Sequence, residues 1–433
     1  MVTTRAVAER LADHLHPRLA ALRDNPGGEA EFWAEIARDR APLIESDRTA
    51  GYSIVTYVFA IPAGASHVVV NSGFGNARDN LMGRIAGTNV CHAAYRCRND
   101  LRTNYSFSPD MPLISFDEAS EADIAAMMAF MREHPPTPDP HCRDHFLIRY
   151  SGYAPDQDTS VLALPDAPDQ SPVSFRKGVA RGSIELHTFC SEILDNERRI
   201  WIYTPPGYDP SSEEPYPVLV AFDGGSALST MPTQCMLDDL IADGRIRPHV
   251  GVFIDNATDT SRNDELPCSE PFARFVEEEL LPWVRGKYRV SHKAKDHTVT
   301  GVSHGGLASM WFGFRLPHVF GTVISQAASL WWGPGWVQGT AMSGQQYAPE
   351  WLIEQYANAN RLPVRFWMEI GLLEHPERML ASNRRMKAVL EAKGYDLAYS
   401  EPCGGHDYAL WRGTLGDALA HMLPAARARR ETA

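Results

Sequence analysis

The residues best suited to chemistry lie in Thr298–Leu307, which reads TVTGVSHGGL. Ser303 stands between Gly301 and Gly305 in a Gly-x-Ser-x-Gly pattern, the nucleophile elbow of serine hydrolases. The β-branched run Thr298-Val299-Thr300 predicts a strand before it, and Leu307, Met310, Trp311 and Phe314 predict a helix after it. So sharp a turn strains the serine backbone. Glycine is therefore expected at 301 and 305 to avoid collisions, and Gly306 is expected to let the helix approach the sheet. At the start of that helix the His304 N–H and the helix dipole favour a developing oxyanion.

A serine hydroxyl ionises far above neutral pH, so it needs a base, and the base needs an orienting group. In the α/β-hydrolase order, acid and then histidine follow the nucleophile, each just beyond a strand. His406, in Gly404-Gly405-His406-Asp407, is the only one of 16 histidines that follows both the serine and a strand and sits in a Gly-rich loop. Three acid arrangements stay open. Glu374 lies just past the strand in FWMEIGLLEHPER, where catalytic groups of open parallel sheets gather. Asp407 would have to fold back on its own loop, and a dyad would use no carboxylate. Glu369, inside the strand, suits packing or a local ion pair.

The second oxyanion donor is expected from Phe222-Asp223-Gly224-Gly225-Ser226, where Gly224 and Gly225 let backbone N–H groups approach a substrate. Arg262, in DTSRNDELP, is read either as a structural ion pair with Glu265 or as a contact for an anionic substrate group. Trp331 and Trp332, in LWWGPGW, either fill core or form a flat aromatic wall.

These residues need elements to carry them. From Gly178 onward buried apolar runs (RIWIY, VLVAF, VGVFI, TVTGV, TVISQ, RFWME, LAYS) alternate with amphipathic helical stretches. That pattern predicts an α/β fold with a mostly parallel sheet covered by helices on both faces. Ahead of it, Leu11, Leu15, Leu19 and Leu22, then Phe32, Trp33 and Ile36, predict packing helices. YSIVTYVFAI, SHVVVNSGF, TNVCHAAYRC and RTNYSFSP alternate with period two, which predicts a β-sandwich, and residues 120–133 read as a short helix. The expected domains are an accessory domain over 1–150, a linker over 151–177 rich in Pro, Asp and Gln, and a catalytic domain over 178–433.

Composition narrows the partners. The chain has 433 residues, is 44% hydrophobic and carries a formal charge of -13, so nucleic acid and anionic membranes are not expected. Seven cysteines without a CxxC pair suit reduced thiols. Met1–Ala21 is interrupted by Arg5, Glu9, Arg10, Asp13 and Arg18, and no apolar run approaches the roughly 18 residues of a membrane span. A soluble, cytoplasmic protein is expected.

Taken together, RIAGTNV, YSFSPD, DPHCRD, LVAFDGG, FIDNATDTSRNDELPC, TGVSHGGLASMW, EIGLLEHP and GGHDYALWRG resemble the enterochelin (ferric enterobactin) esterase family along nearly the whole chain. The resemblance implies a β-sandwich followed by an esterase-D-like α/β-hydrolase domain. It implies cytoplasmic hydrolysis of the cyclic trilactone of catecholoyl-serine, with Ser303 as nucleophile, His406 as base and Glu374 as acid. No metal or organic cofactor is implied; any iron arrives with the substrate. Because a ferric tri-catecholate is strongly anionic, Arg84, Arg96, Arg102 and Arg262 are candidate substrate contacts. His304, directly after the nucleophile, either tunes the site or fills space. The alternatives are a serine esterase or acyltransferase for another lactone, depsipeptide or feruloyl-type ester, and a siderophore-binding protein without catalysis.

Overall fold

The computed structural model describes residues 7–73, 75–114, 119–150, 155–170, 175–258, 260–337, 348–423 and 425. Its first half holds β1 (Ala8–Arg10), β2 (Leu43–Ser46), β3 (Tyr52–Ala60), β4 (Val68–Asn71), β5 (Gly83–Arg84), β6 (Val90–Arg98), β7 (Arg102–Pro109), β8 (His145–Ile148) and β9 (Gln157–Ala163). One sheet runs β1-β6-β3-β2 with β5 also on β6; the other runs β4-β7-β9-β8. Alternate residues, such as Val55 and Tyr57 of β3 and Tyr105 and Phe107 of β7, share one buried cluster, as a sandwich requires.

Two expectations need correction. The helix at the N-terminus starts only at Pro17, capped by the His16 ring, so Leu19 and Leu22 are its buried residues and Leu11 lies ahead of it. The stretch read as linker also contains β9, which sits between β7 and β8 and pairs Leu162 with Thr103. Its buried positions include Thr159 and Ser160, whose hydroxyls hide the apolar alternation. Ser160 Oγ accepts the Asp139 N–H at 2.8 Å, so the hydroxyl is satisfied in the interior. The sandwich therefore extends through Ala163.

The second half holds β10 (Ser183–Ser191), β11 (Asn196–Thr204), β12 (Val218–Ala221), β13 (Val250–Ile254), β14 (His297–Val302), β15 (Thr322–Gln326), β16 (Arg365–Glu369) and β17 (Leu397–Ser400). They form one sheet in the order β10-β11-β13-β12-β14-β15-β16-β17, parallel from β13 to β17. β10 has no counterpart among the apolar runs, because an antiparallel edge strand leaves Ile184 and Leu186 exposed. In β12, Val218 and Val220 join the core on one face while Leu219 and Ala221 join the core on the other. β12 lies between β13 and β14, so the loops after β12 and β14 emerge side by side at the carboxyl edge.

At that edge Ser303 holds φ 58° and ψ -117°, between β14 and the helix His304–Arg315. A Cβ on Gly301 would lie 2.5 Å from the Gly305 carbonyl, and one on Gly306 would lie 2.8 Å from the Gln326 oxygen. Position 305 differs from the expectation. A Cβ there meets only ordinary contacts at 3.5 Å, because it is the backbone of Gly305 that fills the space beside Gly301. Gly301→Ala should therefore destabilise the protein by more than about 2 kcal/mol. Gly305→Ala should be neutral or stabilising by up to about 1 kcal/mol. Urea unfolding of the two variants, in parallel, measures both.

Candidate active site

Three loops meet at the carboxyl edge of the sheet. Ser303 Oγ lies 3.0 Å from His406 Nε2, and His406 Nδ1 lies 2.8 and 3.0 Å from the two Glu374 oxygens. With its proton on Nδ1 donated to Glu374, the ring leaves Nε2 free to accept the Ser303 hydroxyl proton. Burial against the protein pulls the His406 pKa down, but the charge and hydrogen bond of Glu374 outweigh it, so the net shift is upward. The ring stands edge-on to Trp411 at 4.7 Å, and its side chain remains 41% accessible at the mouth of the site.

Glu374 is buried at the end of a tight turn in which its N–H donates to the Gly371 carbonyl at 3.1 Å. The Leu373 N–H donates to the Gly404 carbonyl at 2.9 Å, which ties the acid loop to the histidine loop. A Cβ on Gly371 would lie 2.5 Å from that same oxygen, so glycine is what allows the approach. The other carboxylates are engaged elsewhere. Asp407 Oδ1 accepts the Leu410 N–H at 3.0 Å and caps the helix Tyr408–Met422, while Oδ2 accepts the Thr103 hydroxyl at 2.8 Å. Burial pushes the Asp407 pKa up to about 6. Glu369 accepts from Thr414 and Gln326 inside the core, and burial raises it to about 6 as well.

The Thr103 contact comes from β7 of the sandwich, and the Arg102 N–H beside it donates to the Cys403 carbonyl at 3.1 Å. Leu372, Leu373 and Cys403 belong to the buried cluster of the sandwich. Both loops that carry the acid and the histidine thus rest on the accessory domain.

Around Ser303 the expected donors separate. The His304 N–H stands at the first helical position, where no intrahelical acceptor exists. Gly224 opens the helix Gly224–Ser229, and a Cβ on it would lie 2.9 Å from the Phe253 backbone. Gly225, by contrast, turns its N–H to Asp255 Oδ1 at 3.3 Å, which removes it from the candidate pair. The imidazole of His304 is buried, its pKa driven down to about 3 by desolvation and then by Arg262 and His406. It therefore stays neutral and packs edge-on against Trp336 at 5.8 Å.

Arg262 does not pair with Glu265. It clasps Asp223 through Nε–Oδ1 at 2.8 Å and Nη2–Oδ2 at 3.0 Å, both side chains largely buried, while Glu265 takes the buried Arg198 at 2.6 Å. Asp223, held at φ 51°, leads directly into Gly224, so the ion pair braces the loop beside the elbow. The other arginines lie apart. Arg84 is on β5 with its Nε donating to the Thr88 carbonyl, Arg96 pairs with Asp47 and Glu9, and Arg102 reaches the Pro168 carbonyl. Trp331 and Trp332 are half-buried and pack against opposite core clusters; Trp331 meets Trp336 at 5.0 Å.

One neighbour of Ser303, and one of His304, carry no motif of their own. Ser329 Oγ lies 3.4 Å from Ser303 Oγ, and the Ser329 N–H donates to the Ser303 carbonyl at 3.2 Å. Its signal was its place just beyond β15, in SQAAS. Trp336 closes the aromatic stretch LWWGPGW, and its ring meets both Trp331 and His304.

Comparison with known proteins agrees with this architecture. Residues 191–422 match the family described as "Putative esterase", and residues 55–173 match the enterochelin esterase N-terminal domain. The iron(III) enterobactin esterase of Dickeya dadantii is 27% identical over 428 residues, covering 94% of this chain and 95% of the relative. That of Escherichia coli K12 is 29% identical over 350 residues, covering 80% and 82%. The crystal structure of enterobactin esterase from Shigella flexneri in the presence of enterobactin is similar at TM-score 0.70 and 26% identity, covering 91% of this chain and 98% of the other. The ferric enterobactin esterase of Salmonella typhimurium reaches TM-score 0.73 at the same identity and coverage. An N-terminal sandwich of the enterochelin esterase type thus precedes a catalytic domain of the esterase family, and the chain belongs to the enterochelin esterases.

Proposed function

We propose that the protein hydrolyses the ester bonds of a catecholate siderophore trilactone of the enterobactin type, with Ser303 as nucleophile, His406 as general base and Glu374 as orienting acid. The observation that carries this is the unbroken hydrogen-bonded line from Ser303 Oγ through both ring nitrogens of His406 to Glu374. The relatives named as enterobactin esterases, and the related structure in the presence of enterobactin, support the substrate class.

His406 takes the Ser303 proton as Oγ attacks the ester carbonyl. The imidazolium that forms is stabilised by Glu374, and the tetrahedral oxyanion by the N–H groups of His304 and Gly224. His406 then protonates the departing seryl oxygen, leaving an acyl-enzyme on Ser303. A water molecule, deprotonated by the same ring, releases the acid. Hydrolysis, rather than transfer to a second alcohol or amine, is proposed because the relatives are named as esterases. Cutting the trilactone ring destroys the preorganised chelator. The cytoplasm is the proposed compartment, in keeping with seven unpaired cysteines. Among the described residues no helix is long and apolar enough to cross a membrane.

Ser303→Ala should lower kcat by at least about a thousandfold with the fold intact. Liquid chromatography and mass spectrometry should then find trimer, dimer and monomer fragments of the trilactone with the native protein only. If the native protein leaves the trilactone whole while cleaving a simple feruloyl ester, the substrate class is wrong and the serine assignment stands.

The base works only when unprotonated, so kcat/KM should rise with pH through an apparent pKa above that of a free histidine. In Glu374→Gln the upward influence disappears and the downward pull of burial remains. The acid limb should therefore move to lower pH while kcat falls by about a hundredfold or more. A limb that stays in place in that variant would assign the orienting role elsewhere.

A further inference from the structure

β11 runs antiparallel to β13, with Trp201 opposite Phe253, so its first residues stand at the same carboxyl edge as Ser303. Period two then divides them. Ile200 and Ile202 enter one core, while Arg199 and Trp201 share the other face. There the Trp201 ring packs against the oxyanion loop: a Cβ on Gly224 would lie 3.0 Å from it. The Arg199 guanidinium lies over that ring at 5.2 Å and pairs with the buried Asp255 at 2.6 Å. Asp255 in turn accepts the Gly225 N–H. The Arg199 side chain is still 54% accessible. Arg149 arrives from the sandwich, directly after β8. Its N–H donates to Thr230 Oγ1 at 2.8 Å and its carbonyl accepts the Ser226 hydroxyl at 2.5 Å. Its backbone is thereby pinned to the helix Gly224–Ser229 and the residue that ends it. Between these groups opens a cleft of about 380 Å³, within the span of small-molecule pockets. Trp201 and Leu228 give it an apolar wall, and Gly225 and Ser229 join it to the oxyanion loop. Arg149, Arg199 and Asp156 supply its charge.

We propose that this cleft holds one catecholate ring of the siderophore while the neighbouring ester is cut, with Trp201 and Leu228 against the ring and Arg149 and Arg199 against its anionic oxygens. The proposal rests on the siderophore-esterase function above. The ring hangs on its seryl unit only a few bonds from the ester carbonyl. The cleft begins one residue past Gly224, the donor assigned to the oxyanion, so one bound molecule reaches both positions. A flat anion beside an indole and a guanidinium gains stacking as well as charge-assisted hydrogen bonds. Arg199 is preorganised for this, because Trp201 and Asp255 already hold its guanidinium. Asp255 also balances the Arg199 charge, which leaves Arg199 to act through its remaining N–H donors and Arg149 to supply the attraction. Asp156 opposes that attraction from the same wall.

The test is steady-state kinetics of the full-length protein on three esters. They are the ferric trilactone, a benzoyl-serine trilactone that lacks the catechol oxygens, and a short-chain p-nitrophenyl ester. Arg149→Gln removes the charge and leaves the backbone anchors in place. It should lower the ratio of ferric-trilactone to short-ester kcat/KM by about tenfold, chiefly through KM. The ratio of benzoyl trilactone to short ester should move by less than about twofold. Arg149→Lys should restore most of the loss, and Asp156→Asn should raise the ferric ratio above that of the native protein. Raising sodium chloride from about 50 to about 500 mM should slow the native protein on the ferric trilactone more than it slows Arg149→Gln. Circular dichroism and thermal melting verify that the variants fold. An unchanged ferric ratio in Arg149→Gln would overturn the proposal, as would equal losses on the two trilactones, which mark a structural role. Cleavage of the short ester with neither trilactone touched would instead overturn the siderophore function itself, and the ring site with it.

Discussion

A serine held in left-handed backbone geometry is the constraint on which the molecule depends. Such a conformation costs about 1–3 kcal/mol and persists only where its surroundings allow nothing else. Here β14 is buried on both faces, and the helix after Ser303 is buried from His304 to Gly313. The Ser303 N–H is anchored to the Gln326 carbonyl at 3.0 Å, so the turn cannot relax toward an ordinary bend without breaking the sheet edge. Large cores on both faces of the sheet offset the local strain, and the geometry around Ser303 is inherited from that bulk.

Once the serine is fixed, the remaining chemistry is a matter of which carboxylate meets which environment. Several acids crowd the edge of the sheet, and each is satisfied differently. Asp223 is neutralised by the arginine fork, Asp407 caps a helix and receives a hydroxyl, and Glu369 is enclosed by neutral donors. Glu374 alone meets the imidazole of His406. The sorting follows from side-chain position relative to strand ends more than from residue type, since aspartate and glutamate both occur in the engaged group.

Sequence patterns exposed much of this because backbone requirements leave marks. Glycines flank the elbow and precede His406, and a parallel sheet buried on both faces needs long apolar runs, so its central strands stood out. Partly exposed or hydroxyl-rich strands leave weaker marks. β10, an edge strand, and β9, with Thr159 and Ser160 facing inward, lack that contrast, and β9 was hidden in a stretch whose composition suggested a linker. Partner choice was less legible still. Arg262 and Glu265 are near neighbours in sequence, yet one turns to Asp223 in the loop after β12 and the other to Arg198 of β11, because burying a charge demands a complementary group whose location only the tertiary fold decides. Ser329 as a neighbour of Ser303, and Trp336 as a neighbour of His304, likewise became plain only once the loops were folded.

Leu372, Leu373 and Cys403 have their side chains in the hydrophobic centre of the sandwich although the chain reaches them more than two hundred residues later. The boundary between the two domains is therefore not a seam along which evolution can cut. A sandwich grafted from a distant homologue would arrive with a cavity or a clash under the very loops that carry Glu374 and His406. Neutral drift in one half has to be matched in the other, so the pair is inherited as a single unit, and recombination within this family should preserve the two halves from one parent.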